Sequence, residues 1–345
     1  MEYRLLGQTG VFVSRICLGT MTFGGSGQER YRAIGGLALP QAKALVHIAL
    51  DAGVNFFDTA DVYAGGESES LLGEALGARR RDVILATKAH ARMGPGPNEV
   101  GQSRLHLMRA IEDSLRRLGT DWIDLYQIHN FDPLTPIEVM LRTLDDAVRQ
   151  GKIRHVGCSN LAAWQVMKAL GFSAKQGLER FESLQAYYSL AGRDVERELV
   201  PMVQDQQLGL LAWSPLAGGF LSGKFDRASS DPEARRAKVD FPPIDRERTY
   251  DVIDVLRTVA KRQKASVSQV ALAWVLSRPG VTSVIVGAKR EDQLRDNLGA
   301  LTLQLESQDL EALDAASKLA PSYPGWVQAW RQADRWPAST QGTST

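Results

Sequence analysis

Four polar side chains of different chemistry follow short apolar runs in the first 130 residues, namely Asp58, Tyr63, Lys88 and His129. Taken singly, each has an ordinary structural explanation, such as a cap for Asp58 or a packed ring for Tyr63. Together they can deliver a proton. A phenol titrates near about 10, and a nearby ammonium that stabilises its phenolate makes it a better acid at neutral pH. A carboxylate can hold that ammonium, so the set predicts general acid catalysis with an imidazole beside it.

Eight short apolar runs recur along the chain and would carry these residues. The runs are mostly continuous rather than alternating, which is typical of strands buried on both faces of a parallel sheet. They are Ile16–Leu18, Asn55–Phe57, Val83–Thr87, Ile123–Ile128, Ile153–Cys158, Ser183–Gln185, Leu208–Trp213 and Ser283–Val286.

The segments between the runs predict helices. Between 101 and 119, apolar residues recur every three or four positions and form one buried stripe. In the next segment, Thr135, Pro136 and Glu138 predict a capping box, and Gly151 predicts a left-handed stop. Further helices are expected at 41–53, 67–77, 161–171, 194–207, 249–264, 266–277 and 291–299.

This alternation of strands and helices predicts an α/β protein with a (β/α)8 TIM barrel. A doubly wound sheet is the alternative, but Gly24-Gly-Ser-Gly27 lacks the third glycine of a dinucleotide-binding turn, and the chain has no phosphate-binding loop motif. In a barrel the carboxyl ends of the strands meet at one face, which would bring the four polar residues together.

We predict one domain over residues 1–345, with additions to a barrel at about 15–320. A typical barrel needs only about 250 residues, so the surplus marks segments that could cover a cofactor or select a substrate. The additions are a β-hairpin at 1–13, a long charged loop after the seventh strand at 225–248, and a tail at 321–345 that holds Trp326, Trp330 and Trp336 and whose end, 337–345, is expected to be disordered.

The composition indicates which binding partners and which cellular compartment to expect. The 41 Lys and Arg residues and 40 Asp and Glu residues leave a net charge of +1, so neither a nucleic-acid nor a membrane partner is predicted. Only two cysteines are present, no signal-peptide pattern opens the chain, and no apolar run is long enough to span a membrane. These features predict a cytoplasmic protein, and no metal site is expected.

Several motifs follow one another in a fixed order along the chain. They are Arg4-Leu-Leu-Gly7 with Leu18-Gly-Thr-Met21, Phe57-Asp-Thr-Ala-Asp-Val-Tyr63, Glu67-Ser-Glu-Ser-Leu-Leu-Gly73, Asp121-x-x-Asp124-Leu-Tyr-Gln-Ile-His129 and Gly151-Lys-Ile-Arg-x-Val-Gly157-Cys-Ser-Asn160. In order and spacing they resemble the aldo-keto reductase superfamily from about residue 3 to residue 325. Residues 213–224 resemble its long-loop bacterial, plant and channel-subunit members.

The resemblance implies hydride transfer between a nicotinamide cofactor and a carbonyl or alcohol. Tyr63 would be the general acid, Lys88 would lower its pKa, Asp58 would hold Lys88, and His129 would orient the substrate carbonyl. The resemblance also implies cofactor contacts at the strand ends. The implied cofactor-binding residues are Gly19, Thr20, Met21, Asp58, Ser159, Asn160, Gln185, Trp213, Ser214, Leu216, Gly218, Ser222, Lys224, Gly287, Lys289, Arg290, Gln293 and Asn297.

The last of these residues favour NADP(H) as the cofactor. Lys289 and Arg290 place positive charge at a helix start, where an anion such as the adenosine 2′-phosphate binds well. In many shorter-loop members of the family an arginine stands where this chain has Gln293. The predicted binding of the 2′-phosphate therefore depends on Lys289 and Arg290.

The substrate is predicted only as a small molecule, with Met21, Phe23 and Trp122 or nearby aromatics and the tail tryptophans at the pocket. The tail could equally pack on the barrel exterior or at a subunit interface. The leading interpretation is an NADPH-dependent carbonyl reductase. The alternatives are an NADP-binding redox sensor or regulatory subunit with little turnover, an alcohol or sugar dehydrogenase working in the oxidative direction, and an unrelated barrel such as a phosphate-substrate isomerase. The sequence does not predict the oligomeric state.

Overall fold

A closed barrel of eight parallel strands forms the centre of the molecule, as the computed structural model shows over residues 1–27, 29–227 and 235–332. Each strand pairs with the next along the chain, and β10 pairs with both β9 and β3 to close the ring. The predicted (β/α)8 barrel is therefore confirmed. Its strands are β3 (Ile16–Gly19), β4 (Phe56–Asp58), β5 (Ile84–Ala89), β6 (Ile123–Ile128), β7 (Ile153–Ser159), β8 (Phe181–Tyr187), β9 (Gly209–Trp213) and β10 (Val281–Val286).

Helices surround the barrel, and most of them bury an apolar face against it. None of the helices described is long and apolar enough to cross a membrane. The helices are α1 (Glu29–Ile34), α2 (Leu39–Asp51), α3 (Glu67–Leu76), α4 (Arg104–Leu118), α5 (Ile137–Arg149), α6 (Ala163–Gln176), α7 (Leu199–Asp205), α8 (Arg235–Lys238), α9 (Arg246–Gln263), α10 (Val267–Leu276), α11 (Glu291–Leu298), α12 (Ser307–Ser317) and α13 (Gly325–Gln332).

Three local helix predictions were wrong, each because of a contact or a residue that the pattern did not weigh. Thr135 does not cap α5, because its hydroxyl donates to Asp132 and the helix has no side-chain cap. Helix α6 continues through Gly171 and ends at Gln176, where Gly177 takes the left-handed conformation. The predicted helix at 194–207 is a short 3-10 helix followed by α7, which starts just before Pro201, a residue tolerated only in a first turn.

The predicted hairpin closes the amino-terminal end of the barrel. Strands β1 (Tyr3–Leu5) and β2 (Phe12–Ser14) pair antiparallel. Leu6 and Val13 are fully buried, and they join the apolar cluster inside the barrel that includes Phe56 and Leu125. The hairpin therefore seals the end opposite to the one where the strands finish.

The barrel interior changes from apolar to polar along the strands. Phe56, Ala86 and Leu125 belong to the inner apolar cluster. Since side chains two residues apart share a face of a strand, the residues two positions further on also face inward. Those residues are Asp58, Lys88 and Gln127, and all three are buried. The open end of the barrel is thus lined by buried polar groups.

The two predicted additions beyond the barrel are also present in the described residues. After β9 the chain makes a 3-10 helix at Ala217–Ser222, and the described part of the predicted long loop contains α8 before α9 begins at Arg246. The tail forms α13, none of whose residues is buried. The predicted disordered end at 337–345, like Trp336, lies outside the described residues.

The buried residues of the hairpin lead to a prediction about stability. Replacing the fully buried Leu6 by alanine should lower the free energy of unfolding by about 2–4 kcal/mol, because the variant loses buried apolar surface and leaves a cavity. Leu5→Ala is the matched control, since Leu5 is 49% exposed on the adjacent position. Urea unfolding of both variants measures the difference. Equal stabilities of the two variants would contradict the plugging role.

Candidate active site

A buried ion pair lies at the centre of the polar end of the barrel. Lys88 Nζ donates to Asp58 Oδ1 at 2.5 Å and to the carbonyl oxygen of Thr59 at 2.7 Å. Burial alone would lower the pKa of the Lys88 ammonium, but the Asp58 carboxylate opposes this and leaves the pKa above its ordinary value. Lys88 therefore stays charged although it is fully buried.

Tyr63 and His129 meet above this pair. Lys88 Nζ lies 5.1 Å from the centroid of the Tyr63 ring. The Tyr63 and His129 rings are edge to face, with centroids 5.9 Å apart and planes at 79°. Tyr63 begins the 3-10 turn Tyr63–Gly66 after β4, and His129 directly follows β6. The structure thus brings all four predicted catalytic residues together.

His129 is held as a neutral imidazole. Burial, together with the positive charge of Lys88 and the neighbouring His90, lowers its pKa to about 3. Its Nδ1 atom is buried and has no hydrogen-bond partner among the described residues. A neutral imidazole carries one N–H, so His129 can donate a hydrogen bond without adding charge.

The second oxygen of Asp58 is held by two amides, one of which the sequence interpretation missed. Asp58 Oδ2 accepts from Gln127 Nε2 at 3.1 Å and from Gln185 Nε2 at 2.9 Å. Gln185 Nε2 also lies 3.2 Å from Gln127 Oε1. The signal that could have identified Gln127 is a polar residue inside an apolar strand, on the same face as the preceding buried Leu125.

A second buried carboxylate, also missed, lies two residues before Tyr63. Asp61 is fully buried, its backbone N–H donates to Lys88 O at 3.0 Å, and neither carboxyl oxygen has a partner among the described residues. Burial and the nearby Glu69 carboxylate raise the pKa of Asp61 to about 8. Glu69 is itself satisfied, because Thr87 and Arg117 both donate to it. Asp61 is thus neutral at physiological pH.

The predicted nicotinamide contacts lie beside His129. Asn160 donates to the His129 carbonyl oxygen at 3.0 Å and accepts from Trp213 Nε1 at 3.1 Å. The Ser159 hydroxyl is buried without a partner among the described residues. Trp213 is stacked with Phe241 at 5.7 Å and 7° between planes. The predicted long loop therefore reaches the end of β9.

The predicted pyrophosphate segment is a tight turn that the long loop covers. Ser214 and Gly218 both have positive φ, and Ser214 Oγ accepts from the Gly218 N–H at 2.9 Å. A Cβ on Gly218 would lie 2.5 Å from the carbonyl oxygen of Phe241. Leu216 packs against the core, Ser222 Oγ donates to Gly219 O, and Lys224 is exposed.

Arg236, which the sequence interpretation also missed, lies against the same turn. It is 2% exposed, donates from Nη1 to the Ala217 carbonyl oxygen at 3.3 Å, and pairs through Nη2 with Asp240 at 3.0 Å. Its Nε is buried and has no partner in the described part of the chain. Burial lowers the pKa of the guanidinium, although Asp240 opposes the shift. A buried cation whose N–H has no partner among the described residues favours an anion beside it.

The residues predicted to bind the 2′-phosphate gather at the start of α11, but Lys289, Arg290 and Gln293 already have partners. Lys289 Nζ donates to the Ala33 carbonyl oxygen at 3.0 Å, and Gln293 Oε1 accepts from the Lys289 N–H. Arg290 is exposed and makes two hydrogen bonds to Asp292 at 2.9 and 2.8 Å. Asp292 therefore already offsets part of the positive charge that the sequence indicated.

The remaining predicted cofactor residues lie at the adjoining ends of β3 and β10 and in α11. Gly19 ends β3 and Gly287 follows β10. Thr20 is fully buried, and its hydroxyl forms hydrogen bonds with Asp58 O and Ser68 Oγ inside the protein. Met21 is half-buried and Asn297 is buried.

Two of the residues predicted to line the substrate pocket do not lie there. Phe23 is fully buried in the apolar core. Trp122 precedes β6 and therefore lies at the amino-terminal end of the barrel, opposite the site, where Arg80 and Arg154 pack over its ring. In the described part of the chain, no group of three or more His, Cys, Asp or Glu residues is placed to hold a metal ion.

The closed barrel, with a buried Lys88–Asp58 pair and two rings at the end where the strands finish, is an α/β barrel with a candidate active site at that end. The chain belongs to the Aldo/keto reductase family, whose profile matches residues 15–318. Members of this family generally use NAD(P)H.

Three relatives illustrate the range of proteins that the chain resembles. It is 37% identical to the uncharacterized oxidoreductase YrpG of Bacillus subtilis (strain 168), over 91% of this chain and 95% of that protein. It is 34% identical to a probable voltage-gated potassium channel subunit beta of Oryza sativa subsp. japonica, over 96% of this chain and 100% of that protein. It is 32% identical to versiconal hemiacetal acetate reductase of Aspergillus parasiticus, over 94% and 99%.

Asp61 generates a prediction about pH and stability. Native Asp61 keeps its proton up to about pH 8, whereas an unfolded chain releases it near about pH 4. The free energy of unfolding should therefore fall as pH rises across this interval, by at most about 1.4 kcal/mol per pH unit from this group. Asp61→Asn should remove that contribution, as measured by denaturant unfolding at several pH values.

The exposed Asp51→Asn is the control for this experiment, because it changes the same charge at the surface. It should keep the wild-type slope. A slope in Asp61→Asn equal to that of the wild type would show that Asp61 is ionised in the native state.

Proposed function

We propose that the protein is an NADPH-dependent carbonyl reductase that converts an aldehyde or ketone to an alcohol. The observation that carries the proposal is the fully buried Lys88 ammonium, paired with Asp58 and placed 5.1 Å from the Tyr63 ring. A buried charge costs several kcal/mol unless it is paired, and Asp58 supplies the partner that keeps Lys88 charged at this position. The Lys88 ammonium is held beside the Tyr63 ring, where it would lower the pKa of the phenol.

The residues beside the site fit a bound nicotinamide cofactor. The unpartnered Ser159 hydroxyl and the Asn160 amide offer hydrogen-bonding groups for a carboxamide, and Trp213 offers an aromatic face. The unpartnered Nε of Arg236, next to the turn at Gly218, fits a pyrophosphate. When bound, the reduced cofactor supplies a hydride to the carbonyl carbon.

The chain's own residues would handle the proton. Tyr63 donates it to the carbonyl oxygen, and the Lys88 ammonium stabilises the phenolate that remains. Neutral His129 donates a hydrogen bond to the same oxygen as negative charge develops there, which is the kind of preorganised stabilisation that lowers a barrier by several kcal/mol. In the oxidative direction the same groups accept the proton, so an alcohol dehydrogenase remains compatible with the site.

A second candidate is a cofactor-binding regulatory subunit with little turnover. The similarity to a probable voltage-gated potassium channel subunit beta favours it. The complete set of Asp58, Tyr63, Lys88 and His129 favours the reductase. We further propose a cytoplasmic location, because both cysteines are buried and free.

The roles of the four site residues generate a prediction about turnover. Tyr63→Phe should lower kcat/KM for carbonyl reduction by about a thousandfold, because the proton donor is lost while the ring remains. Loss of NADPH absorbance with a panel of aldehydes and ketones measures turnover. Cofactor affinity, measured by fluorescence titration, should stay within about twofold of the wild type because Tyr63 lies beside the reacting carbonyl.

The same titration separates the two candidate functions. Tight NADPH binding by a wild-type protein that turns over no carbonyl in either direction would favour the regulatory subunit. Full activity of Tyr63→Phe would remove Tyr63 from the proposed role.

Cofactor choice gives a further prediction. Lys289→Ala should weaken NADPH binding by roughly tenfold, the effect of one hydrogen bond to a charged group, and leave NADH binding unchanged. Arg290→Ala should have a smaller effect, because Asp292 already holds that guanidinium. The measurement is the Kd of each cofactor for each variant. Parallel losses for NADPH and NADH would contradict recognition of the 2′-phosphate by Lys289.

A further inference from the structure

A buried carboxylate that the proposed mechanism does not use lies behind the turn that carries Tyr63. Glu69 belongs to the first turn of α3, and its side chain is fully buried. Thr87 Oγ1 donates to Glu69 Oε1 at 2.6 Å, and Arg117 Nε donates to Glu69 Oε2 at 2.6 Å. Each carboxylate oxygen therefore joins α3 to a different element, namely β5 and α4.

The bond from Thr87 reaches the strand that holds the buried ammonium. Thr87 directly precedes Lys88 in β5. Because side chains alternate along a strand, Thr87 points away from the barrel interior while Lys88 points into it. The Asp61 N–H donates to the Lys88 carbonyl oxygen at 3.0 Å, so the loop after β4 is attached to β5 at the same place. Glu69 therefore holds the Lys88 segment of β5 from the outer side of the barrel.

The bond from Arg117 reaches the turn that begins at Tyr63. Ala64, Gly65 and Gly66 have positive φ, at 52°, 65° and 96°. A Cβ on Gly66 would lie 2.6 Å from Arg117 Cδ and 2.8 Å from its Nε, so the arginine side chain packs directly against this backbone. Ala64 is buried in the left-handed conformation, which is unfavourable for a residue with a Cβ. The surroundings must therefore hold this turn in place.

Titratable groups on three neighbouring elements surround the pair of Glu69 and Arg117. They are Asp61 in the loop after β4, Tyr126 in β6 and Asp113 in α4. Burial and the Glu69 carboxylate raise the pKa of Asp61 to about 8. Burial also raises the pKa of Tyr126, and the carboxylates add to that shift. Asp61 is the neighbour that titrates closest to neutral pH, so an experiment on Glu69 must control for it.

We propose that Glu69 is a positioning residue for proton transfer, because it joins the strand of Lys88 to the turn of Tyr63 and so sets the separation of the ammonium and the phenol. This proposal rests on the carbonyl-reductase function proposed above. Two hydrogen bonds on the outer side of β5 would then maintain the 5.1 Å between Lys88 Nζ and the centroid of the Tyr63 ring. Glu69 acts through these bonds, since its own side chain is fully buried outside the barrel interior.

The first test removes one of the two hydrogen bonds without changing a charge. In the reductive direction the general acid must be protonated, so kcat/KM falls as the pH rises above the pKa of that acid. Thr87→Val should move this fall toward higher pH by about one unit, since an ammonium further from the phenol stabilises the phenolate less. It should lower kcat by at least about tenfold and keep KM within about twofold. Thr87→Ser, which keeps the hydroxyl, should restore both.

The second test separates positioning from a direct effect of charge. Glu69→Ala removes both links and should shift the pH profile in the same direction as Thr87→Val. Glu69→Gln removes the charge but can keep both links, since its carbonyl oxygen can accept from Arg117 and its NH2 can donate to the Thr87 hydroxyl. It should therefore keep the wild-type profile and kcat within about threefold. Both Glu69 variants are also made in the Asp61→Asn background, where Asp61 cannot ionise.

Asp124→Asn is the matched control. Asp124 is a largely buried carboxylate that pairs with Arg80 at 2.8 Å, at the amino-terminal end of β6. Loss of this charge should lower the free energy of unfolding, measured with urea, without moving the pH profile. The control thus shows what a loss of stability alone does to the rate.

Other outcomes would overturn the proposal. Unchanged pH profiles for Thr87→Val and Glu69→Ala, or the same shift in Asp124→Asn, would leave Glu69 with a structural role only. A shift toward lower pH in both Glu69 variants would show that its charge acts directly on the phenol. If the wild type reduces no carbonyl, the carbonyl-reductase function fails separately. The tyrosinate absorbance of each protein minus that of its Tyr63→Phe form then follows the phenol alone, and Thr87→Val should raise the pH of its titration.

Discussion

The buried pair of Lys88 and Asp58 is the interaction on which the arrangement of the site depends. Removing a charge from water costs several kcal/mol, and a buried pair persists only if its remaining hydrogen-bonding groups are also satisfied. The barrel meets this condition with the Thr59 carbonyl on the ammonium and with Gln127 and Gln185 on the carboxylate. Strands β4, β5, β6 and β8 must therefore stay in register for the pair to exist.

The same charge sets the electrostatics of the groups above it. Burial is the main cause of the lowered pKa of His129, the Lys88 charge adds to it, and the same charge lies below the Tyr63 ring. The Asp61 carboxyl does not pair with Lys88. Its backbone N–H donates to the Lys88 carbonyl oxygen, while burial and the Glu69 carboxylate keep the carboxyl neutral. The Lys88–Asp58 pair is thus charged, whereas the neighbouring His129 and Asp61 are neutral.

The surroundings divide the open end of the barrel into two sectors. Lys289, Arg290 and Arg236 place positive charge near β9 and β10, where we propose that the anionic cofactor binds. Leu134 and Trp164 place exposed apolar side chains near β6 and β7. The near-zero net charge of the chain conceals this separation, because composition averages over the whole surface.

The sequence by itself determined the barrel and its four central residues, because short apolar runs, glycine stops and residues at strand ends are local patterns. It did not determine which side chains pair across the barrel. Gln127 donates to Asp58, and Arg290 pairs with Asp292. The carboxyl oxygens of Asp61 have no partner among the described residues. These features depend on side-chain rotamers and on neighbours in space, which a local sequence pattern does not contain. The position of Trp122 was also mispredicted. Because Trp122 precedes β6, the direction of that strand places its ring at the end of the barrel away from the site. Tertiary structure decides these features because a contact depends on distance in space, and the partners of Asp58 are 69 and 127 residues away along the chain.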